Sequence, residues 1–254
     1  FLFPFYYYIF FRVNINIKTT IFLLYFIFKY ARINYILNFK GTIMENKKKS
    51  KITATQSLVL GVLIVIFIGA ILLKLPISNQ DGKSIKFIDS LFVSTSCVCV
   101  TGLTTIVPSE QFSCFGQIII MMLIEIGGLG FMSFIALILM LMGKKINLSD
   151  RMVIKESLNQ NNLSGLIKLI KRIFIYTITF QTIGTIFLSI RFIPTYGVGK
   201  GIFYSVFHSI SAFCNAGFDI LGNNSFIGYQ YDVLINVTIM ALIIIGGLRI
   251  YCME

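Results

Sequence analysis

The 254-residue sequence has no tryptophan, one histidine, four prolines and only ten acidic residues. Charged residues make up 13% of the chain, whereas a soluble domain carries roughly 25%. The few acids and the single histidine argue against an enzyme, because acid–base and metal-assisted catalysis need several such groups together. The five cysteines are odd in number, with no paired framework and no CxxC motif, so we read them as small packing residues rather than as a metal site.

Hydrophobic residues are abundant by contrast. They make up 56% of the chain, and the mean hydropathy is +0.85. The net charge is +12, but the basic residues cluster beside apolar runs and form no patch interleaved with aromatics. This pattern is typical of a membrane-topology signal rather than of a nucleic-acid surface. We therefore predict an all-α polytopic membrane protein with no nucleic-acid partner.

Apolar runs of two lengths alternate along the chain. Four are long enough to cross a bilayer, which takes about 20 residues. Two shorter runs lie in the gaps between the first and second and between the third and fourth, and they have the length of re-entrant helices. The predicted spans are 56–75, 117–142, 170–193 and 233–250, and the predicted re-entrant runs are 84–98 and 199–213.

The distribution of basic residues predicts the orientation. Segments 44–55 and 143–172 together contain eleven lysines and arginines, whereas 74–116 and 191–232 contain five. Because basic loops stay in the cytoplasm, we expect a cytoplasmic N-terminus and re-entrant helices that enter from outside.

The chain also repeats itself. The sequence "IGGL" occurs at 126–129 and at 245–248, an offset of 119, and Gly102 and Gly217 follow the two re-entrant runs at an offset of 115. Pro76 and Pro194, 118 residues apart, are expected to end the first and third spans. The repeated unit is therefore span, re-entrant helix, glycine-containing loop and span.

The two glycine-containing loops, "CVTGL" (99–103) and "CNAGF" (214–218), have the chemistry of a cation path. Extended backbone exposes carbonyl oxygens that can replace the hydration shell of an alkali cation. Glycine permits backbone dihedrals that other residues avoid. The C-terminal end of the preceding helix adds partial negative charge.

These loops lie in stretches that resemble the membrane subunit of the TrkH/KtrB family of bacterial potassium uptake systems, within the Trk/Ktr/HKT superfamily. The matching sequences are "TSCVCVTGLT" (95–104), "IEIGGLGFMSF" (124–134), "FHSISAFCNAGFD" (207–219) and "IIIGGL" (243–248). The resemblance implies four span–pore–span repeats around one pore, of which this chain carries two. It also implies a selectivity filter that includes two groups of residues here. They are Cys99, Val100, Thr101 and Gly102, and Cys214, Asn215, Ala216 and Gly217.

The resemblance further implies the ion, the partners and the location. K⁺ is the transported ion, no cofactor is bound covalently, and the sequence leaves open whether Na⁺ couples to transport or activates it. The expected partners are a second copy in the bacterial cell membrane and a cytosolic RCK-type, nucleotide-binding regulatory subunit.

Several single residues allow two interpretations. Glu125 lies inside a predicted span, where an acid is expensive; it either faces a cavity and attracts cations, or it pairs with a neighbouring helix or is protonated. Asp219 either attracts cations at the outer mouth or caps the following turn. His208 is expected to be packed or hydrogen-bonded, and the glycines of "GGLG" (127–130) are expected to be helix-packing contacts.

The two ends of the sequence look unlike the rest. Residues 1–43 are rich in amino acids with A/T-rich codons and precede the first methionine, Met44, so we expect translated upstream DNA; the alternative is an extra hydrophobic anchor. Arg249 stands where the repeat predicts the counterpart of Gly130, which we interpret as a frameshift, a premature stop or a mis-called gene end.

The predicted organisation has six parts. They are a non-native segment (1–43), a basic cytoplasmic N-terminus (44–55), the first repeat (56–142), a cytoplasmic linker (143–169), the second repeat (170–250) and an aberrant C-terminus (251–254).

This organisation predicts a truncated pore subunit. The alternative is a half-pore that must dimerise or be complemented, or a non-functional gene fragment.

Overall fold

The computed structural model describes residues 54–130, 133, 166–222 and 224–248. All of them lie in one compact part of the chain, Thr53–Glu254. The described residues form helices and turns without a strand, and their only β-type pairing is an isolated bridge between Asn79 and Phe112. The all-α prediction is therefore confirmed for this part of the chain.

The described residues form seven α-helices and two short 3-10 helices. The 3-10 helices are Pro76–Ser78 and Ser225–Tyr229. The α-helices are α1 (Ala54–Lys74), α2 (Phe87–Val98), α3 (Pro108–Gln111), α4 (Cys114–Leu129), α5 (Leu166–Tyr196), α6 (Val198–Phe213) and α7 (Val233–Leu248).

The helices group into two units in chain order. In the first unit α1, α2 and α4 pack on one another, and in the second α5, α6 and α7 do the same. Helix α6 also contacts α4, which joins the units through one hydrophobic core. Fully buried side chains from both units fill that core, among them Leu73, Val93, Ile120, Ile124 and Phe207.

The outer faces of the longer helices are apolar. Large side chains such as Ile71 of α1, Ile178 and Ile186 of α5, and Ile244 of α7 are more than half exposed. Among the described residues, the segment Lys168–Tyr196 is long and apolar enough to cross a bilayer by itself. Shorter apolar helical segments lie at Val59–Lys74, Phe87–Val98, Cys114–Leu129 and Val233–Leu248.

Pro194 does not end the third predicted span. It lies inside α5, which continues to Tyr196, and the N–H of Gly197 still donates to the carbonyl of Ile193 at 2.9 Å. Proline removes its own N–H and hinders only the preceding turn, so helical bonding resumes beyond it. The prediction that Pro194 plays the same part as Pro76, which follows the end of α1, is wrong.

The second predicted span, 117–142, is also interrupted. Helix α4 ends at Leu129, because Gly130 adopts a φ of 84°, a left-handed conformation that helix interiors exclude. Several predictions lie outside the described residues: those for 1–43, for most of 44–55 and of the linker 143–169, for Arg249 and for 251–254.

Candidate functional site

The two short helices α2 and α6 end in the same way. After α2, the N–H of Thr101 donates to the carbonyl of Ser96 at 3.0 Å. After α6, the N–H of Ala216 donates to the carbonyl of Ser211 at 2.7 Å. Each pair is separated by 115 positions from its counterpart, as the glycines are, so the sequence repeat corresponds to a repeated backbone conformation.

Both segments then take left-handed dihedrals at matching positions. Val100 and Asn215 each have a φ of 55°, and Gly102 and Gly217 have φ values of 72° and 70°. Glycine takes this conformation readily and asparagine tolerates it, but a β-branched valine rarely does. Such strained residues cluster at functional sites, so Val100 marks the segment as one that the surrounding structure holds in place.

Serine hydroxyls fasten each segment to its helix. In the first unit the Ser96 hydroxyl bonds the Thr101 hydroxyl at 2.8 Å and accepts from the N–H of Leu103 at 2.9 Å. In the second unit the Ser211 hydroxyl donates to the carbonyl of Phe218 at 2.6 Å. These bonds limit the movement of the backbone that carries Gly102 and Gly217.

A second pair of serines fastens each short helix to the long helix before it. The Ser94 hydroxyl donates to the carbonyl of Ile66 in α1 at 2.8 Å, and the Ser209 hydroxyl donates to that of Gln181 in α5 at 2.7 Å. Donors and acceptors again differ by 115 positions. Both serines are fully buried, so each bond fixes the depth of a short helix against its neighbour.

Glycines of the later helices let them approach the ends of the short helices. A β-carbon at Gly127 of α4 would overlap the carbonyl of Val98, and one at Gly246 of α7 would overlap that of Phe213. Gly128 faces the side chain of Cys214 at similarly close range. The packing prediction therefore fits Gly127 and Gly128. At Gly130, an added β-carbon would lie 4.0 Å from the Ser133 Oγ, its nearest neighbour among the described residues, and this glycine ends α4.

The two glycine segments, 99–102 and 214–217, contact each other directly. A β-carbon built on Gly102 would lie 2.6 Å from the carbonyl oxygen of Ala216 and 3.2 Å from the Cα of Gly217. A β-carbon on Gly217 would lie 3.6 Å from the Cα of Gly102. The structure thus brings Gly102 together with Ala216 and Gly217, in two segments 115 positions apart that meet backbone to backbone.

The chemistry of this meeting point suits a cation. The side chains of the two segments are uncharged, and Cys99, Thr101 and Asn215 are exposed. The C-terminal ends of α2 and α6, with their partial negative charge, immediately precede the segments. Neutral carbonyl oxygens and helix C-termini are the groups that proteins offer to alkali cations. Coordination of an ion by the carbonyls of 99–102 and 214–217 stays a prediction.

The two acids with open interpretations have hydrogen-bonded partners. Both carboxylate oxygens of Glu125 accept from the Gln181 side chain, at 3.2 and 2.9 Å, so Glu125 pairs with the neighbouring helix α5. Asp219 is 6% exposed and accepts from the N–H of Leu221 at 3.2 Å and from the hydroxyl of Ser225 at 3.0 Å. Its position therefore matches the turn-capping interpretation, and burial raises its pKa.

His208 links α6 to the chain that follows the second glycine segment. Its Nδ1 lies 2.6 Å from the carbonyl of Tyr204, and its Nε2 accepts from the N–H of Ile220 at 3.4 Å. The ring is 2% exposed and packs edge-on against Phe226. This geometry matches the expectation that His208 is a packed, hydrogen-bonded residue.

The sequence did not predict the roles of four serines, Ser94, Ser96, Ser209 and Ser211, or the left-handed conformations of Val100 and Asn215. The serines had a signal, because "STSCV" (94–98) and "SISAF" (209–213) share serines at the first and third positions. Asn215 also had one, since asparagine is a common left-handed residue. Val100 had none, because valine ordinarily indicates extended or helical backbone.

Comparison with known proteins identifies the family of the chain. The family model TrkH, described as a cation transport protein, matches residues 18–253. The chain is 46% identical over 207 residues to the potassium/sodium uptake protein NtpJ of Enterococcus hirae, covering 82% of this chain and 46% of that protein. It is 45% identical over 209 residues to the Ktr system potassium uptake protein B of Bacillus subtilis, with the same coverage. The corresponding protein of Vibrio alginolyticus is 38% identical over 202 residues.

The chain spans about half the length of these curated relatives. The family is one of membrane cation transporters and is not a class of enzymes. With a family match that covers nearly the whole chain, and with two relatives above 40% identity, the chain belongs to the TrkH family of cation transport proteins.

Proposed function

We propose that this chain supplies two of the units that surround the ion path of a potassium uptake protein in a bacterial cell membrane. The observation that carries the proposal is the direct contact between two equivalent left-handed glycine segments, 99–102 and 214–217. The names of the relatives, potassium uptake proteins of the Ktr type and a potassium/sodium uptake protein, support K⁺ as the ion.

In this proposal α2 and α6 are re-entrant helices. Each is too short to cross a bilayer, and each ends at a segment with irregular backbone. Such backbone is tolerated at membrane depth only inside protein or beside water. Helices α1, α4, α5 and α7 lie around them with their exposed apolar faces towards lipid, and α5 is long enough to cross the bilayer by itself. The excess of basic residues in 44–55 and 143–172 supports a cytoplasmic N-terminus.

In the proposed ion path, backbone carbonyl oxygens that surround the ion replace the water molecules of its hydration shell. The chain gives two neutral segments held by the buried hydroxyls of Ser96 and Ser211, so the oxygens are preorganised and need little movement when K⁺ enters. Two segments cover only part of the circumference of an ion. We therefore propose that further units complete the ring, which is consistent with relatives about twice as long.

The proposed partners follow from the same family. We propose a second copy in the membrane and a cytosolic RCK-type, nucleotide-binding regulatory subunit; the designation "Ktr system" for two relatives supports an assembly of several components. The name of the Enterococcus hirae relative includes sodium, so Na⁺ belongs among the tested ions, as substrate or as coupling ion.

The test is growth at low K⁺ in a bacterial strain without its own K⁺ uptake systems. In a chimera, residues 53–248 replace the matching half of the Bacillus subtilis relative, and the 254-residue chain is expressed alone in parallel. We expect the chimera to restore growth and the chain alone to fail. Growth supported by the chain alone would favour a dimeric half-pore, and an expressed but inactive chimera would contradict the proposed function.

A further inference from the structure

A polar cluster joins the two units beside the second glycine segment. We call Glu125, Gln181 and Cys214 the interunit node. Glu125 lies on α4 of the first unit, Gln181 on α5 of the second, and Cys214 directly follows α6. The Gln181 side chain donates to both oxygens of Glu125, at 3.2 and 2.9 Å, and the Cys214 thiol donates to one of them at 3.5 Å.

The node is continuous with the bonds that hold α6. The backbone carbonyl of Gln181 accepts from Ser209 at 2.7 Å, so one residue of α5 binds α6 with its backbone and α4 with its side chain. One turn after Glu125, Gly128 leaves room for the side chain of Cys214. Three helices from two units are therefore fixed at the point where the segment 214–217 begins.

The counterparts of the node in the sequence repeat are not its chemical equivalents. At the repeat offsets, Gln181 corresponds to Ile66, and Glu125 corresponds to Ile244. Ile66 still accepts the Ser94 hydroxyl with its carbonyl, so a short helix is held without a polar side chain at that position. Ile244 is 59% exposed. Packing within a unit therefore does not require a carboxylate and an amide, and their place between units indicates a different role.

We propose that Glu125 is a positioning residue of the ion path. Through Gln181 and Cys214 its carboxylate fixes the segment 214–217 against the segment 99–102 of the other unit, and so sets how strongly the path favours K⁺ over Na⁺. This inference rests on the proposed function. It adds to it a residue outside both segments, in a helix where an acid would otherwise be disfavoured.

The first test measures transport in the chimera described above. Glu125→Ala removes both carboxylate oxygens, whereas Glu125→Gln keeps one side-chain oxygen that accepts from Gln181. We expect Glu125→Ala to lower the ratio of K⁺ to Na⁺ uptake by about tenfold, the fold-change that corresponds to one hydrogen bond to a charged group, and Glu125→Gln to retain most of the ratio. The matched control is Glu110→Gln, in the exposed part of α3.

A purely structural role would give a different result. It would lower the amount of protein and the maximal uptake together, and would leave the ion ratio and the KM for K⁺ unchanged in the protein that remains. Gln181→Leu provides a second variant. If Glu125 and Gln181 act through the same hydrogen bonds, the double variant Glu125→Ala with Gln181→Leu should lower the ratio of K⁺ to Na⁺ uptake no further than either single variant does.

The second test uses the 254-residue chain and needs no transport. Cys214 is 9% exposed, whereas Cys114 at the start of α4 is exposed and serves as the internal reference. In membranes treated with N-ethylmaleimide, mass spectrometry gives the labelling rate of each cysteine. We expect Glu125→Ala to raise the rate at Cys214 by about tenfold relative to Cys114, because the thiol loses its acceptor and its fixed position.

The outcomes separate the two proposals. An expressed but inactive parent chimera overturns the proposed function. An active parent whose ion ratio is the same with Glu125→Ala overturns this inference alone. Unchanged labelling of Cys214 in that variant also overturns it, because the carboxylate would then not hold the start of the segment.

Discussion

The two central glycines should differ in their tolerance of a methyl group. At Gly102 an added β-carbon meets backbone atoms at 2.6 and 3.2 Å, and backbone cannot move aside as a flexible side chain can. At Gly217 the nearest atom is 3.6 Å away, which is ordinary contact. Both residues have a left-handed φ, so both substitutions are strained but only one is also crowded.

The magnitudes follow from these two effects. A left-handed conformation costs an alanine about 1–2 kcal/mol relative to glycine. Crowding against rigid neighbours typically adds about 1–3 kcal/mol. We therefore expect Gly102→Ala to destabilise the protein by about 2–5 kcal/mol and Gly217→Ala by about 1–2 kcal/mol.

Thermal denaturation of the purified 254-residue protein in detergent measures the difference. Gly82→Ala is the matched control, because Gly82 has a φ of 64° and no atom of the described residues lies within 4 Å of the added carbon, so it isolates the dihedral effect. The expected order of loss in Tm is Gly102→Ala first, with Gly217→Ala close to Gly82→Ala. A loss for Gly217→Ala as large as that for Gly102→Ala would refute the close approach of the two segments.

Two other predictions concern the packing of the units. Gly127→Ala should lower the Tm markedly, since its β-carbon overlaps the Val98 carbonyl, while Gly247→Ala, whose β-carbon meets no atom of the described residues within 4 Å, should not; equal Tm values would contradict this packing. Ser94→Ala and Ser209→Ala should each reduce the free energy of unfolding by about 0.5–1.5 kcal/mol, because each removes one buried hydrogen bond between a short helix and the long helix before it. Denaturant titration should give similar losses for the two, and a loss in only one would contradict their equivalence.

The sequence predicted the parts of the fold that depend on composition and repetition. Both short helices end where expected, at Val98 and Phe213, because the apolar run and the following glycine segment are local features. The end of α5 is not predictable from Pro194 for the opposite reason: a proline near the end of a helix leaves the next residues free to continue it, and only tertiary packing decides whether they do.

The candidate site was predictable in position but not in geometry. The repeat located Gly102 and Gly217, yet no sequence pattern predicts that their backbones touch, since this contact depends on how two units pack. The pairing of Glu125 with Gln181 was open for the same reason: the residues are 56 positions apart and belong to different units. Long-range contacts of this kind come from the packed structure and leave no local signal.

The most direct test of the central claim is the ratio of K⁺ to Na⁺ uptake by the chimera with Gly217→Ser, compared with the parent chimera. Gly217 has space for a side chain but needs its left-handed backbone, so the substitution perturbs the carbonyls of 214–217 with little crowding. Our account predicts a lower ratio at an unchanged amount of protein, and the same direction for Gly102→Ser. An unchanged ratio in both variants would contradict the assignment of the two segments to the ion path.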